Sequence, residues 1–234
     1  AYYKTAVVYI RQEQKDKAIE LLNKSQEIFD KISQYNSKVP KSARNKLELP
    51  NELMLYVYKS KLLAENIDDD TYYRKLDKLI FASDFTVDTD NDSVPDLWYI
   101  YNSQKGLMET SIRNKAVEIT NNGEEPSYLI TKKDIILEPT TEYRVNLLIG
   151  CENTTNVPVI NIFSRKGQIV QHQIKQMDLN TEITNITSTF VTTKDIEDGK
   201  QWIRIDIPKE TKDTIFIESM EIWLEQIKPL GGSD

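Results

Sequence analysis

The sequence predicts an α+β, multidomain protein with an N-terminal helical segment and a C-terminal antiparallel β-sandwich. Apolar residues recur at helical spacing over residues 1–79, whereas from Lys115 onwards they alternate with a period of two. Between these parts lies a short loop crowded with aspartates. A length of 234 residues is long for one hydrophobic core and comfortable for two.

Four helices are predicted in residues 1–79. The second, in "KDKAIELLNKSQEIFDKISQY", has one stripe of apolar or small residues at the spacing of a buried helix face: Ala18, Leu21, Leu22, Ser25, Ile28, Phe29 and Ile32. The first helix fits "YYKTAVVYI". The third fits "NELMLYVYKSKLLAEN" and the fourth fits "DDTYYRKLDKLI".

Eight runs with strand character follow Lys115, separated by turn-rich pieces such as "NNGEEP" and "ENTTN". They are rich in Val, Ile, Thr and aromatic residues, which strands favour. The runs are "KAVEIT", "SYLITK", "EYRVNLLIG", "VPVINIF", "QIVQHQIK", "ITSTFVT", "WIRIDIP" and "TIFIESMEIWL". Their number and spacing indicate a β-sandwich, most simply a jelly roll.

Charge and composition argue against several classes of function. The net charge of −7 argues against a nucleic-acid partner, because phosphate binding needs clustered Lys and Arg. No apolar run approaches the roughly 20 residues of a membrane span, so no membrane insertion by this segment is expected. The chain has one cysteine and one histidine. Cys151, expected at a strand end, is interpreted as a passive thiol, and His172 as a packed or edge residue.

The acidic loop "DTDNDSVPD" has the spacing of a calcium site. Asp88, Asp90, Asp92 and Asp96 stand at positions 1, 3, 5 and 9, and Val94 at position 7 offers its backbone carbonyl. Alternate residues of a tight loop point inward, and a shell of oxygen ligands is what Ca²⁺ requires. The alternative is a solvated acidic turn without metal.

This loop resembles the thrombospondin type-3 calcium loops of bacterial surface proteins, "D-x-D-x-D-G-x-P-D-x-W-E". Ser93 replaces the glycine of that pattern, which implies some backbone strain. Tyr99 stands where a glutamate would supply the twelfth-position ligand, so the site should be weaker unless Asp84 or Glu109 substitutes for it. A structural role for the ion is favoured.

The first 34 residues or so resemble one tetratricopeptide repeat. The match comprises large, small and aromatic residues at the positions of that repeat: Tyr2, Ala6, Tyr9, Ala18, Leu22 and Ser25. Because one repeat cannot bury its own stacking face, the resemblance implies a fragment or the tail of a longer array. An unrelated four-helix cap is the alternative.

From residue 80 the chain resembles carbohydrate-binding modules of the jelly-roll, galactose-binding-like superfamily. The resemblance rests on "FASDFT", "VPDLW", "NKAVEIT", "ILEPTTEYRVNLLIG" and "IFIESMEIW", which occur in the family's order. It implies a first strand at Ile80–Thr86 and a domain division into residues 1–79 and 80–228. The acidic loop is then an insertion before Trp98, a framework position of the family.

The resemblance implies that sugar would be held by aromatic rings. The candidates are Tyr128, Tyr143, Phe163, Phe190, Trp202 and Trp223. Most share a strand phase with Val or Ile, so each is expected in the core, and the sequence names no sugar-binding face. Carboxylates such as Asp206 and Glu221 lie in no recognisable glycosidase arrangement, so catalysis is not expected.

Together these patterns predict a non-catalytic, calcium-binding, extracytoplasmic module of a bacterial envelope or surface protein, as part of a longer chain. Its expected ligand is a glycan, such as a cell-wall or exported polysaccharide. The alternative is a protein-interaction or spacer module of a membrane-anchored, polysaccharide-handling protein, with its protein partner bound by the helical segment.

Overall fold

A computed structural model describes residues 1–40, 50–152, 157–165, 167–173, 182–196, 201–209 and 211–227. The chain divides into two compact units. The first comprises residues 1–82 and 89–91, and the second comprises residues 83–88 and 92–234. Within the described ranges, no helix is both long enough and apolar enough to cross a membrane.

The first unit contains four described helices: α1 (Tyr2–Arg11), α2 (Lys15–Ser37), α3 (Asn51–Glu65) and α4 (Tyr72–Leu76). α1 and α2 pack against each other, and α2 packs against α3. Ala6, Ala18 and Leu22, at three of the repeat-like positions, are at most 2% exposed, as a packed helical pair requires. The first three helices confirm the helical periodicity of the sequence.

The fourth helix is shorter than predicted. It ends at Leu76, and the next strand begins at Leu79 within the segment expected to be helical. The residues from Leu79 to Asp84 pair with another strand instead. The hydrogen bonds of this long-range ladder therefore override the local helical pattern of "YYRKLDKLI".

The described residues form eleven strands in two sheets. The strands are β1 (Leu79–Asp84), β2 (Trp98–Asn102), β3 (Met108–Arg113), β4 (Ala116–Asn121), β5 (Ser127–Thr131), β6 (Thr141–Cys151), β7 (Val159–Ser164), β8 (Gly167–Gln173), β9 (Thr184–Val191), β10 (Gln201–Ile207) and β11 (Thr211–Ile227). A six-stranded sheet has the order β3-β4-β11-β6-β9, with β1 also pairing with β11. A five-stranded sheet has the order β2-β5-β10-β7-β8.

The predicted antiparallel β-sandwich is confirmed. The eight runs read from the sequence correspond to β4 to β11, and β1 lies close to the first strand that the resemblance implied. β2 and β3 were not predicted. From β5 to β11 the chain repeatedly changes sheets, so neighbours in each sheet are mostly distant in sequence.

Alternation along each strand separates an inner from an outer face. In β10, Ile203, Ile205 and Ile207 are fully buried, while the residues between them are half-buried. Burying one such side chain contributes about 1.5–3 kcal/mol. In β6 of the six-stranded sheet, the inward-facing side chains of Val145, Leu147 and Ile149 are buried in the same way. The sandwich core is therefore apolar, and each outer face is free to carry other chemistry.

Trp98 anchors the start of the five-stranded sheet within the core. Its ring is fully buried and stacks on Phe85, with ring centroids 5.0 Å apart. Its indole Nε1 donates a hydrogen bond of 2.8 Å to Ser83 Oγ. Trp98 thus has the framework position in the core that was expected of it. Along the chain, the acidic loop lies between Phe85 and Trp98.

Candidate functional site

Two pairs of aromatic rings lie on the outer face of the five-stranded sheet. Tyr101 of β2 stands opposite Tyr128 of β5, and their ring centroids are 6.0 Å apart. Phe163 of β7 stands opposite Trp202 of β10, with ring centroids 5.9 Å apart and planes inclined by 13°. Directly opposed aromatic residues of neighbouring strands stabilise a sheet and place their rings on one face.

Arg204 joins these two pairs. Its guanidinium Cζ lies 4.6 Å from the ring centroid of Tyr128 and 4.5 Å from that of Phe163. Both distances are in the range of cation–π contacts. We call the resulting set the aromatic row: Tyr101, Tyr128, Arg204, Phe163 and Trp202. It crosses four adjacent strands, β2, β5, β10 and β7.

The charge of Arg204 is matched within the same strand. Its Nε donates to Asp206 Oδ1 at 2.6 Å, and its Nη2 donates to Asp206 Oδ2 at 2.8 Å. The two side chains are 29% and 23% exposed, so this bidentate pair is only partly accessible to solvent. Such fork-to-carboxylate pairs are stronger and more directional than ordinary surface ion pairs.

Asn161 lies directly opposite Arg204 in the sheet. It is 1% exposed, and its Oδ1 accepts a 3.0 Å hydrogen bond from Gln168 Nε2. Its Nδ2 has no hydrogen-bond partner among the described residues. Because an unsatisfied buried polar group costs about 1–3 kcal/mol, this amide favours a buried water molecule as its acceptor.

The five-stranded sheet has little charge. Arg204 and Asp206 are the charged residues in the sequences of its five strands, and they neutralise each other. Tyr99 and Tyr101 of β2 add aromatic surface, being 41% and 56% exposed. The outer face of this sheet is therefore aromatic, able to form hydrogen bonds, and neutral in sum.

The expectation that the six candidate aromatic residues all pack in the core is wrong for four of them. Tyr128, Phe163, Trp202 and Trp223 are half-buried on outer faces. Strand phase explains this: in "WIRIDI", Trp202 shares its side of the strand with Arg204 and Asp206. Tyr143 is 1% exposed, as expected of a core residue. It stacks on Phe190, which is half-buried, with 5.4 Å between ring centroids.

The outer face of the six-stranded sheet is different. Trp223 Nε1 donates to Glu221 Oε2 at 2.7 Å, and Asn146 Nδ2 donates to the same oxygen at 3.3 Å. Arg144 lies over the Trp223 ring at 5.9 Å, and its Nε is 3.0 Å from Glu225 Oε1. The tryptophan of this face is thus embedded among charged side chains.

The acidic loop brings three of its aspartates together. Asp88, Asp90 and Asp96 are half-buried, and one carboxylate oxygen of each lies within 4.8 Å of the others. Asp88 accepts backbone hydrogen bonds from Asp92 N at 3.2 Å and from Ser93 N at 2.9 Å. Asp90 Oδ1 is buried and has no hydrogen-bond partner among the described residues. Three anions this close favour a cation between them.

Asp92, the fourth predicted carboxylate ligand, lies outside this group. Asp92 is exposed, and its Oδ1 accepts the amide of Val94 at 2.9 Å. Tyr99, at the twelfth position, is exposed and stands opposite Ile130 in the sheet. The group of three carboxylates contains neither Asp84 nor Glu109, the suggested substitutes.

Backbone conformation shapes the loop. Asn91 and Ser93 have φ angles of 55° and 68°, in the left-handed region. Ser93 therefore stands where a glycine would be unstrained, as the loop pattern implied. Cys151 is buried at the last residue of β6, the predicted strand end. The side chain of His172 lies outside the described residues.

No protein-family model and no curated protein matches the sequence. Among solved structures, the chain is similar to "BiXyn10A CBM1 APO", with a TM-score of 0.47, 12% identity, and coverage of 62% of this chain and 98% of that one. It is also similar to "CBM4 structure and function", with a TM-score of 0.44, 13% identity, and coverage of 59% and 92%. A third similar structure is the C-terminal CBM6 of LamC from Zobellia galactanivorans. Its TM-score is 0.39 at 7% identity, and the match covers 61% of this chain and 98% of that one.

These three neighbours are carbohydrate-binding modules with a β-sandwich fold. Enzymes also occur among the similar structures, such as a cyclase from Fischerella with a TM-score of 0.44, 13% identity, and coverage of 58% of this chain and 87% of that one. Likeness at these scores carries no weight for function, which depends on the residues of the outer face.

Proposed function

We propose that residues 80–228 form a non-catalytic, jelly-roll module that binds a glycan, such as cell-wall or exported polysaccharide. The observation that carries this proposal is the aromatic row, with its hydrogen-bonding neighbours, on the neutral outer face of the five-stranded sheet. We place the module outside the cytoplasm, in the envelope or on the surface of a bacterium, as part of a longer chain.

The chemistry of a sugar chain suits this face. A pyranose ring has apolar C–H surfaces that pack on aromatic rings and hydroxyl groups that need hydrogen-bond partners. In the order of contacts Tyr101–Tyr128–Arg204–Phe163–Trp202, Tyr101 and Trp202 come first and last, and each stacks on one ring. The inner rings of Tyr128 and Phe163 also contact Arg204. We therefore expect the two end residues to provide most of the stacking surface.

The test compares two tryptophans on opposite faces. Trp202→Ala and Tyr101→Ala should each weaken binding to soluble polysaccharides at least tenfold in affinity electrophoresis, whereas Trp223→Ala on the six-stranded sheet should leave it unchanged. The panel comprises β-1,3-glucan, hydroxyethylcellulose, xylan and galactomannan. Equal losses in all three variants, or no binding to any polymer by the folded wild type, would contradict the proposal.

We also propose that the acidic loop holds Ca²⁺ and thereby stabilises the connection between β1 and β2. Asp88, Asp90 and Asp96 are the central ligands, and Asp92 and the carbonyl of Val94 complete the predicted set. The donors support a fit, because they are carboxylate oxygens in close proximity, and a buried oxygen of Asp90 has no partner among the described residues. A bound Ca²⁺ would supply the positive charge that offsets their mutual repulsion.

Thermal unfolding in 1 mM CaCl₂ and in EDTA tests this site. Calcium should raise the Tm of the wild type and of the Asp134→Asn control, because a ligand that binds only the folded state stabilises it. Asp90→Asn should lose most of that rise. A wild-type Tm that is the same in calcium and in EDTA would contradict the proposed calcium site. The proposed sugar-binding function would be unaffected.

The helical segment supports a second function, protein interaction or spacing by a tetratricopeptide-like element. Several large apolar side chains of α1 and α2 are exposed, from 38% for Tyr2 to 63% for Tyr35. Exposed apolar surface of this kind suits a protein partner. Photo-crosslinking in the host cell from Val8, with Glu20 as the control position, tests it. Products from both positions alike, or from neither, would count against a specific partner.

A further inference from the structure

We infer that the glycan bound by the five-stranded sheet is uncharged, and that Asp206 determines this specificity by occupying Arg204. The inference rests on the proposed function, since it names the class of polysaccharide that this face accepts. A second consequence is that uronate, sulfated and phosphorylated polymers are rejected. The argument starts from Arg204, because a guanidinium is the protein group best suited to bind such anions.

The charge of Arg204 is already matched by a carboxylate of the protein. Two of its nitrogens, Nε and Nη2, already donate to both carboxylate oxygens of Asp206, at 2.6 and 2.8 Å. Its guanidinium is also held between two rings, at 4.6 and 4.5 Å. A ligand carboxylate would have to bind the remaining N–H groups beside Asp206, which is 23% exposed, and would therefore face a second anion on the same surface.

The sequences of the five strands supply no compensating cation. Apart from Arg204, the sequences of β2, β5, β7, β8 and β10 contain neither Lys nor Arg. The net charge of −7 adds a long-range repulsion of polyanions at low salt. An anionic polymer would therefore lose hydration without gaining a counter-charge. This uncompensated desolvation cost excludes the anionic polymer as a competing ligand.

Neutral hydroxyl groups meet a better-matched surface. Tyr99 and Tyr101 of β2 are 41% and 56% exposed, and their phenol groups can donate and accept hydrogen bonds. Hydroxyl oxygens accept such donors, and hydroxyl hydrogens suit the carboxylate of Asp206. Binding a neutral sugar thus leaves the Arg204–Asp206 pair intact.

The experiment uses one polymer in two charge states. The ligands are a soluble neutral polysaccharide that the wild type binds, and the same polymer with its C6 hydroxymethyl groups oxidised to carboxylates. Affinity electrophoresis of the full chain compares the wild type, Asp206→Asn and a Glu221→Gln control on the other sheet. Asp206→Asn is nearly isosteric, and it frees the positive charge of Arg204.

We expect the wild type to bind the neutral polymer at least tenfold more tightly than the oxidised one. Asp206→Asn should reduce this ratio at least tenfold, through a gain in binding to the oxidised polymer that salt suppresses. Glu221→Gln should leave the ratio unchanged. Arg204→Gln provides a second test if Asp206→Asn does not fold, since it should reject the oxidised polymer at least as strongly as the wild type.

Three results would overturn the inference. They are equal wild-type affinity for the two polymers, an unchanged ratio in folded Asp206→Asn, and improved binding of the oxidised polymer by Arg204→Gln. Each leaves the proposed function standing as long as the neutral polymer binds. Failure of the folded wild type to bind any neutral polymer would instead overturn the proposed function, and the inference with it.

Discussion

The two outer faces of the sandwich have similar strand architecture and opposite chemistry. The five-stranded sheet has two charged residues in its strands, and they neutralise each other. The strands of the six-stranded sheet hold many more: Asp84, Glu109, Arg113, Glu118, Glu142, Arg144, Lys212, Asp213, Glu218, Glu221 and Glu225. A sandwich requires only that its inner faces be apolar. The depletion of charge on one outer face is therefore not a requirement of the fold, and it points to a ligand.

Each face has an arginine paired with a carboxylate, and the two pairs have different surroundings. Arg204 is bound by both oxygens of Asp206 and lies between two rings. Arg144 lies 3.0 Å from one oxygen of Glu225, and these side chains are 40% and 35% exposed. The contribution of an ion pair to stability depends on its burial and its geometry, and the residue types alone reveal neither.

The largest expected effect separates these two arginines. Arg204→Ala should lower the free energy of unfolding by about 2 kcal/mol, because it leaves a half-buried carboxylate without its cation and removes two cation–π contacts. Arg144→Ala should cost less than about 1 kcal/mol. Urea denaturation of both variants measures the difference, and equal losses would mean that the two faces do not differ in this way.

The next prediction has opposite signs on the two faces. Asn161→Leu should stabilise the protein by about 1 kcal/mol, because it removes a buried donor that has no partner among the described residues. The hydrogen bond that it loses comes from the exposed Gln168, which water can satisfy instead. Asn146 on the six-stranded sheet uses both ends of its amide, donating to Glu221 and accepting from Thr187 Oγ1 at 3.2 Å. Asn146→Leu should therefore destabilise by about 1 kcal/mol in the same urea experiment.

A loss of stability in Asn161→Leu would show that this amide stabilises the protein overall, through ordered water at Nδ2 or through the hydrogen bond that Oδ1 accepts from Gln168. In that case the donor of the five-stranded sheet would resemble its counterpart on the other sheet, and the contrast between the faces would rest on charge and aromatic content alone.

The smallest effect concerns the loop that connects the two sheets, between β1 and β2. A left-handed conformation costs a non-glycine residue about 1–2 kcal/mol, while glycine loses about 0.5–1 kcal/mol in chain entropy. Ser93→Gly should therefore stabilise by roughly 0.5 kcal/mol. Asn91→Gly is the matched control, because asparagine tolerates this conformation, and it should give no gain. Thermal unfolding in EDTA distinguishes the two variants, and binding of the neutral polysaccharide should be unchanged in both.

Much of the fold could be predicted because strand and helix periods are visible in the sequence. The two unpredicted strands show why some elements escape. "WYIYN" of β2 has no alternation of polarity, and "METSIR" of β3 is largely polar. The shortened fourth helix was missed for another reason, since its end depends on pairing with the distant β11.

The site was harder to predict than the fold. Tyr128, Phe163 and Trp202 were each recognised as candidates and Tyr101 was not. Their common face follows from the register of four strands that are not consecutive in sequence. The phase of Trp202 with Arg204 and Asp206 was the one local signal. In the loop, the spacing suggested converging aspartates, and the left-handed residues Asn91 and Ser93 then determine which of them meet. Calcium itself remains a prediction.

The three tryptophans of the chain occupy three different environments. Trp98 is fully buried in the core, Trp202 belongs to the aromatic row, and Trp223 lies on the opposite outer face. The protein therefore contains its own set of optical reporters. Single-tryptophan versions, with phenylalanine at the other two positions, would give emission signals for unfolding, for ligand contact and for an internal reference, each without an added label.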